Sequence, residues 1–431
     1  MGAMKIHVYG DNLCALVNAA LFASVGHEIS LCLPAGRVKR NLENGDETYP
    51  EPRLQDLLNL QVKEQRLGYT DLNAPIPDDL EVVFLAFAPK DFALAQQIVQ
   101  RLGTHAKPLL VINQSTFAIG CSDQLARDLS ALQSLVYVPN FIQEGMAIDS
   151  IARPSKIILG MDDCRAENQV REVFRPFNRL KDHFLKMSLR EAEFTKLAVS
   201  GMLATRISFM NDLSNVADTL GVDIEQIRVG MGSDKRIGEA YLYAGCGFGG
   251  QSFSEDVMNL AQTVSGVGIK SKLLQQVLQI NEDQKEVLFR KLWRYFDCDL
   301  SHKTIGIWGA AYKPNTNKID NAPTLKILEA LWAQGAVVKL HDPVALEKIA
   351  QHYGSHAQLI LCESQYEAAC DVDALMLVTE WKQYWNPNFQ RLKQSMNHPL
   401  ILDGRNIYNP YYLKELGFEY VGIGRGNSYA G

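Results

Sequence analysis

Four glycines fall within Gly245-Cys246-Gly247-Phe248-Gly249-Gly250, which runs straight into Gln251-Ser252-Phe253-Ser254-Glu255-Asp256. Each glycine would cost conformational entropy in a helix interior, so the stretch is predicted to be a loop. A backbone bare of side chains suits close approach to a ligand, and Asp256 is expected to open the apolar helix that follows. Upstream, Asp234-Lys235-Arg236-Ile237-Gly238 and Tyr241-Leu242 bring two cations toward the same stretch. The reactive groups here are the Ser252 hydroxyl, the Asp256 carboxylate and the Cys246 thiol. A thiolate is nucleophilic near neutral pH and leaves readily from an acyl group. A serine hydroxyl without a base does neither. Cys246 lies across a glycine turn from Ser252 and reads as a small residue filling a loop position, not as a substitute nucleophile.

A second place for chemistry lies near the N-terminus. Residues 5–9 pattern as a buried strand, Gly10 begins a turn, 13–25 reads as an apolar helix, and 28–33 as a second strand. Such a βαβ opening sets its turn where a dinucleotide pyrophosphate meets a helix N-terminus. The fingerprint G-x-G-x-x-G/A appears as Gly10-Asp11-Asn12-Leu13-Cys14-Ala15, and Gly10, Asn12 and Leu13 are the cofactor candidates. Asn12 replaces the middle glycine, and Leu33 stands where an acid would hold ribose hydroxyls. Arg37, Lys39 and Arg40 offer cations for the 2′-phosphate of NADP; the alternative is a solvated basic loop.

The elements that must position these groups read as α/β throughout. Strands are predicted over 82–87 and 108–112, and a long helix over 191–220 with apolar residues on more than one face, which points to a homodimer. A second Rossmann-like unit starts near 303. The expected fold is two doubly wound domains joined by the long central helix. The division is 1–185, a dinucleotide-binding domain; 186–300, a helical dimerisation and active-site region; and 301–431, a C-terminal Rossmann-like domain. With 47% apolar and 21% charged residues and a net charge of −6, the composition is that of a soluble globular protein with no nucleic-acid or membrane partner. No apolar run reaches membrane-span length and no signal-peptide pattern opens the chain. The eight cysteines form no CxxC pair, so no metal site is expected and a reducing cytoplasmic location is.

In order and spacing these motifs resemble the UDP-glucose/GDP-mannose dehydrogenase family from residue 5 to about 409. In that family the glycines lead into Ser-Cys-Phe-Pro-Lys-Asp, whose cysteine is the nucleophile; Ser252 stands at that position, and Asp256 matches the aspartate. Gln114-Ser115-Thr116-Phe117-Ala118-Ile119-Gly120 resembles Ser-Thr-Val-x-x-Gly, which makes Thr116 an active-site and cofactor candidate. Asn140-Phe141-Ile142-Gln143-Glu144-Gly145 resembles Glu-Phe-Leu-x-Glu-Gly. Asn140 therefore replaces the catalytic glutamate, while Phe141 and Glu144 are kept. Glu191-Ala192-Glu193 places Lys196 on the family's active-site lysine and Ser200 on its asparagine. The loop after residue 87 is shorter than the family's. Later, Gly309 to Thr316 with Lys313, and Asp403-Gly404-Arg405-Asn406, resemble the segments that hold the nucleotide.

The resemblance implies a nucleotide sugar, a UDP-sugar favoured, bound by Phe141, Glu144, Lys196, Arg236, Tyr241, Gly245, Phe248, Gly249, Lys313 and Arg405. It implies NAD at Gly10, Asn12, Leu13, Thr116 and Glu144, with NADP as the alternative. The family reaction oxidises a sugar C6 alcohol twice, through a thioester on the cysteine. With Ser252, Asn140, Ser200 and Glu255 at the thioester positions, ordinary double oxidation is expected to be lost or altered. The other readings are an active NAD(P)-dependent oxidoreductase and a non-catalytic regulatory or assembly homologue in polysaccharide biosynthesis.

Overall fold

The computed structural model describes residues 2–178, 183–266, 268 and 272–426. The chain divides into two compact units, Met1–Val199 and Ser200–Gly431.

Parallel strands covered on both faces must be apolar along their whole length. In the first unit β1 (Lys5–Tyr9), β2 (Glu28–Leu33), β3 (Leu67–Asp71), β4 (Val82–Leu85), β5 (Leu109–Asn113) and β6 (Gln133–Tyr137) follow that rule most strictly at the centre, where β4 and β5 are buried end to end. With β7 (Ile157–Gly160) and β8 (Phe184–Met187) they form an eight-stranded sheet in the order β3-β2-β1-β4-β5-β6-β7-β8. The first six are parallel and in dinucleotide-binding order; β7 turns antiparallel on β6, Tyr137 opposite Gly160. Helix α1 (Leu13–Ser24) is buried from Leu13 to Ala23. It needs no polar stripe because it lies between the sheet and neighbouring helices.

The second unit repeats the order. Strands β9 (Thr304–Trp308), β10 (Val337–His341), β11 (Leu359–Leu361), β12 (Ala374–Leu377), β13 (Leu400–Asp403) and β14 (Glu419–Gly422) pair in parallel as β11-β10-β9-β12-β13-β14. The central helix Leu189–Leu220 is 32 residues long. Two Rossmann-like α/β sheets and a long helix are thus the architecture. Boundaries shift slightly: the strand expected over 82–87 ends at Leu85, and Ala86 and Phe87 lead into the turn. The helix expected to open at Asp256 begins at Gln251 and runs to Gly266, so Asp256 lies in its second turn. Among the described residues no helix is long and apolar enough to cross a membrane.

Candidate functional site

In the first unit the β1–α1 turn is tight. Gly10 has φ +136°, and a Cβ there would lie 2.1 Å from the Ala86 carbonyl oxygen, so only glycine fits. Asn12 is extended, and its Oδ1 accepts from Ala15 N at 3.0 Å, capping α1. The Tyr49 hydroxyl donates to the Asp11 carbonyl at 3.0 Å. Burial first, then the charges of Asp11 and Glu144, push the Tyr49 phenol up to about 12. Leu33 is fully buried at the end of β2. The basic residues beyond it lie on a helix, Arg37–Asn44, and not on the expected loop, and Lys39 there pairs with Asp71 and Glu43.

The loops beyond β5 and β6 are held by two buried acids, Glu51, which the sequence did not single out, and Glu193 of the Glu-Ala-Glu motif. Buried Glu51 accepts from Gly145 N at 2.6 Å and Ala147 N at 2.7 Å, fixing the segment that carries Glu144. Buried Glu193 accepts from Gly120 N at 2.6 Å and Ser122 N at 2.8 Å, tying the central helix to the loop that carries Thr116; burial raises its carboxyl despite these bonds. Asn140 turns its amide inward, Oδ1 accepting from Ile142 N at 2.8 Å. This closes an Asx-type turn. Lys196 and Phe141 are brought together, the ammonium 5.4 Å from the ring centroid.

In the second unit the glycine loop is buried, and its close approaches are to its own chain. A Cβ on Gly249 would lie 2.6 Å from Asn321 O, and one on Gly250 (φ +91°) 2.7 Å from the Tyr312 ring. The loop's polar groups are met as well. Gly245 N donates to Asn211 Oδ1 at 2.9 Å, Phe248 N to Asn281 Oδ1 at 2.8 Å, and Gly250 N to Asp320 O at 2.8 Å. Tyr312, Asn321 and Gly404 of the chain itself lie against these glycines. Behind the loop lies Lys285, only 1% exposed, donating to Glu282 and to Asn321 Oδ1 at 2.6 Å each. Asn321 Nδ2 in turn donates to Ser254 Oγ at 3.1 Å on the helix that carries Ser252. One lysine at the end of a polar helical run gave no sequence signal for this.

Ser252 is exposed on the first turn of that helix, while Asp256 is buried and accepts from Ser200 Oγ at 2.8 Å. The structure thus pairs Asp256 with Ser200. Cys246 is fully buried, its Sγ 3.6 Å from Val378 O, and burial raises its thiol. It is a packing residue, as expected. Arg405 lies beside Gly245, its Nε donating to Val378 O at 2.6 Å and facing Glu380 at 3.1 Å. The Lys313 ammonium is 5.5 Å from the Tyr312 ring centroid. Arg236 is highly exposed and forks onto Asp234, with Nη2 to Oδ2 at 2.6 Å. Tyr241 is half-buried at φ +60°. Arg206 donates to the carbonyls of Ile237 and Gly238, both at 2.9 Å, a structural role.

The connection after β9 is the longer one: the next helix opens at Pro323, whereas α1 opens at Leu13 directly after the β1 turn. Asp342 Oδ2 accepts from Ala310 N at 2.8 Å and Ala311 N at 3.0 Å, which fixes the start of that connection. Among the described residues no cluster of His, Cys, Asp and Glu could hold a metal, and the described cysteines are free.

Residues 4–178 match the family model for the UDP-glucose/GDP-mannose dehydrogenase family, NAD binding domain. Residues 190–283 match the central domain of that family, and 306–410 its UDP binding domain. A UDP-glucose 6-dehydrogenase of Pseudomonas aeruginosa is 39% identical over 98% of both chains. One of Rhizobium meliloti is 30% identical over 98% of this chain and 100% of its own. A solved UDP-glucose dehydrogenase from Pyrobaculum islandicum superposes with a TM-score of 0.87 at 25% identity, covering 98% of each chain.

Proposed function

The chain belongs to the UDP-glucose/GDP-mannose dehydrogenase family, and from that premise we propose that it binds a UDP-sugar while the family's double oxidation at C6 is lost or altered. NAD is the cofactor of the first unit. The glycine-only turn at Gly10 and the leading N–H groups of α1 fit its pyrophosphate, although no acid replaces Leu33 for the ribose. When bound, NAD supplies a hydride acceptor; Gly10, Leu13, Thr116 and Glu144 are proposed to hold it, with Asn12 on the same turn.

In the second unit the sugar nucleotide is proposed to meet Tyr241, Gly245, Phe248, Gly249, Lys313, Arg236 and Arg405. In the first unit Phe141, Glu144 and Lys196 are the proposed contacts. The observation that carries the altered chemistry is the state of the reactive helix. Ser252 brings an exposed hydroxyl where a thiol would form the acyl intermediate, and the buried Asp256 beside it is hydrogen-bonded to Ser200. Neither arrangement generates an alkoxide or a good acyl leaving group. The test is NADH formation with UDP-glucose and its N-acetyl relatives, products identified by mass spectrometry. Turnover in the ordinary enzymatic range, about ten per second, with a uronic acid product would overturn the reading.

The three-part division 1–185, 186–300 and 301–431, a cytoplasmic location and a homodimer complete the proposal. Support for the dimer is the run Phe194, Val199, Met202, Phe209, Val216 and Leu220, all exposed along the central helix. A monomer by sedimentation at micromolar concentration would remove it.

A further inference from the structure

We propose that Asn12 sets the affinity of the first unit for its dinucleotide, by capping α1 with its own amide in the place the pyrophosphate must take. The first N–H groups of a helix have no intrahelical partner and form its anion site. Here Asn12 Oδ1 already accepts one of them, Ala15 N, at 3.0 Å. The rest of the turn cannot give way. Gly10 is pressed on Ala86 O, Asp11 O is held by the Tyr49 hydroxyl at 3.0 Å, and α1 is buried from Leu13 to Ala23. The movable part of the turn is therefore the Asn12 side chain, half-buried at the mouth.

In the second unit the Asp342 carboxylate meets the backbone N–H groups of Ala310 and Ala311 at once, at the start of a longer connection. Asn12 presents one neutral amide to one N–H. Its cap is a competitor that a diphosphate can displace, at the cost of one hydrogen bond. A glycine at this position would remove both the competing oxygen and the side chain in the approach path.

The inference rests on NAD as the cofactor, and its test is calorimetric titration of the full chain with NAD⁺, wild type against Asn12→Gly and Asn12→Asp. Both replacements remain acceptable caps, glycine at a loss of a few tenths of a kcal/mol, so ligand-free melting temperatures should stay within about 2 °C of wild type. Asn12→Gly is expected to bind NAD⁺ about three- to tenfold more tightly, the net worth of one hydrogen bond. Asn12→Asp is expected to bind at least about tenfold more weakly, because its carboxylate takes the same N–H and repels the diphosphate. UDP-glucose titrated in parallel should give the same affinity in all three proteins, and its failure to bind would count against the nucleotide-sugar reading alone. An Asn12→Gly protein that binds NAD⁺ no more tightly than wild type, or not at all, overturns the proposal, as does an Asn12→Asp protein that matches wild type.

Discussion

Replacing Gly250 by alanine separates two reasons a loop can be glycine-rich: to admit a ligand, or to admit its own chain. Gly250 has φ +91°, and an added Cβ would lie 2.7 to 3.1 Å from three atoms of the Tyr312 ring. The left-handed backbone alone costs an L-residue about 1–2 kcal/mol, and forcing a methyl into a packed interior costs about 1–3 kcal/mol more. The sum is about 2–5 kcal/mol. Two glycines of the same unit serve as controls. Gly354 has φ +61° and ψ −145°, a region kept almost to glycine, with open space around its Cβ position, so Gly354→Ala should show only the backbone cost of about 1–3 kcal/mol. Gly230 lies in the helix Ile224–Ser233 with nothing nearby, so Gly230→Ala should stabilise by about 0.5–1 kcal/mol. For a unit of this size each kcal/mol moves the midpoint by about 2–4 °C. Differential scanning calorimetry should therefore place Gly250→Ala roughly 5–15 °C below wild type in the second unit's transition. Pairing it with Tyr312→Ala should recover part of that loss, since residues in contact couple. If Gly250→Ala melts with Gly354→Ala and loses only UDP-sugar affinity, the glycine serves the ligand and the packing argument fails.

Ser252→Cys alone should leave UDP-glucose oxidation below about a hundredth of ordinary turnover, because Asn140, Ser200 and Glu255 stay as they are; NADH production measures it, and recovery to the ordinary range refutes the view that the site changed as a unit. Lys285→Met should destabilise the second unit by about 1–3 kcal/mol, since Asn321 Oδ1 loses its buried donor, and should raise hydrogen exchange across residues 247–256; unchanged exchange would show that Lys285 does not brace the loop. Burial holds the His7 imidazole down at about 4, below its unfolded value of 6.5. The unfolded chain then binds the extra proton between those values, so the first unit should lose up to about 3 kcal/mol as pH falls from 6.5 to 4. His7→Phe should flatten that part of a melting-temperature profile, and an unchanged slope would assign it to other groups.

The fold was legible because parallel strands buried on both faces write themselves as short apolar runs, and the runs 5–9, 28–33 and 304–308 were read nearly to their boundaries. The helix start at Gln251 was missed because Gln251-Ser252-Phe253-Ser254-Glu255 carries no apolar periodicity; the Gln251–Glu255 bond at 2.8 Å supports its first turn instead. What surrounds the site was mostly illegible for one reason, sequence distance. Glu51 braces a segment near Gly145, Glu193 braces Gly120, and Asn321 and Tyr312 pack on the glycine loop. Each is an ordinary polar or aromatic residue whose partner lies some seventy or more positions away, or nearly so, and nothing local marks it. Asn12 is the opposite case: its side chain is a good helix cap, and the sequence marked it only as a missing glycine.

The two turns sharpen how a repeated topology divides its labour. The strand order is the same, but after β1 the chain turns directly into α1 at Leu13, whereas after β9 it runs through residues 309–322 before the helix Pro323–Ala333. They differ at the end of the next parallel strand, where the first unit has Leu33 and the second reaches Asp342 just beyond β10. Asp342 reaches back to the backbone N–H groups of Ala310 and Ala311, and also accepts from Val344 N and Ala345 N near 3 Å. With the Trp381 indole N–H, which donates to Oδ2 at 3.1 Å, that carboxylate serves five donors, and displacing it costs about 1–3 kcal/mol for each donor left unmet. Leu33 has no oxygen with which to do the same. At the first turn the side chain that meets a leading N–H group of α1 is the neutral amide of Asn12. In the second unit Lys313 lies on the connection after β9 itself, beside the Tyr312 ring on which Gly250 packs, so a nucleotide proposed to meet Lys313 would do so at a long loop and not at a helix N-terminus.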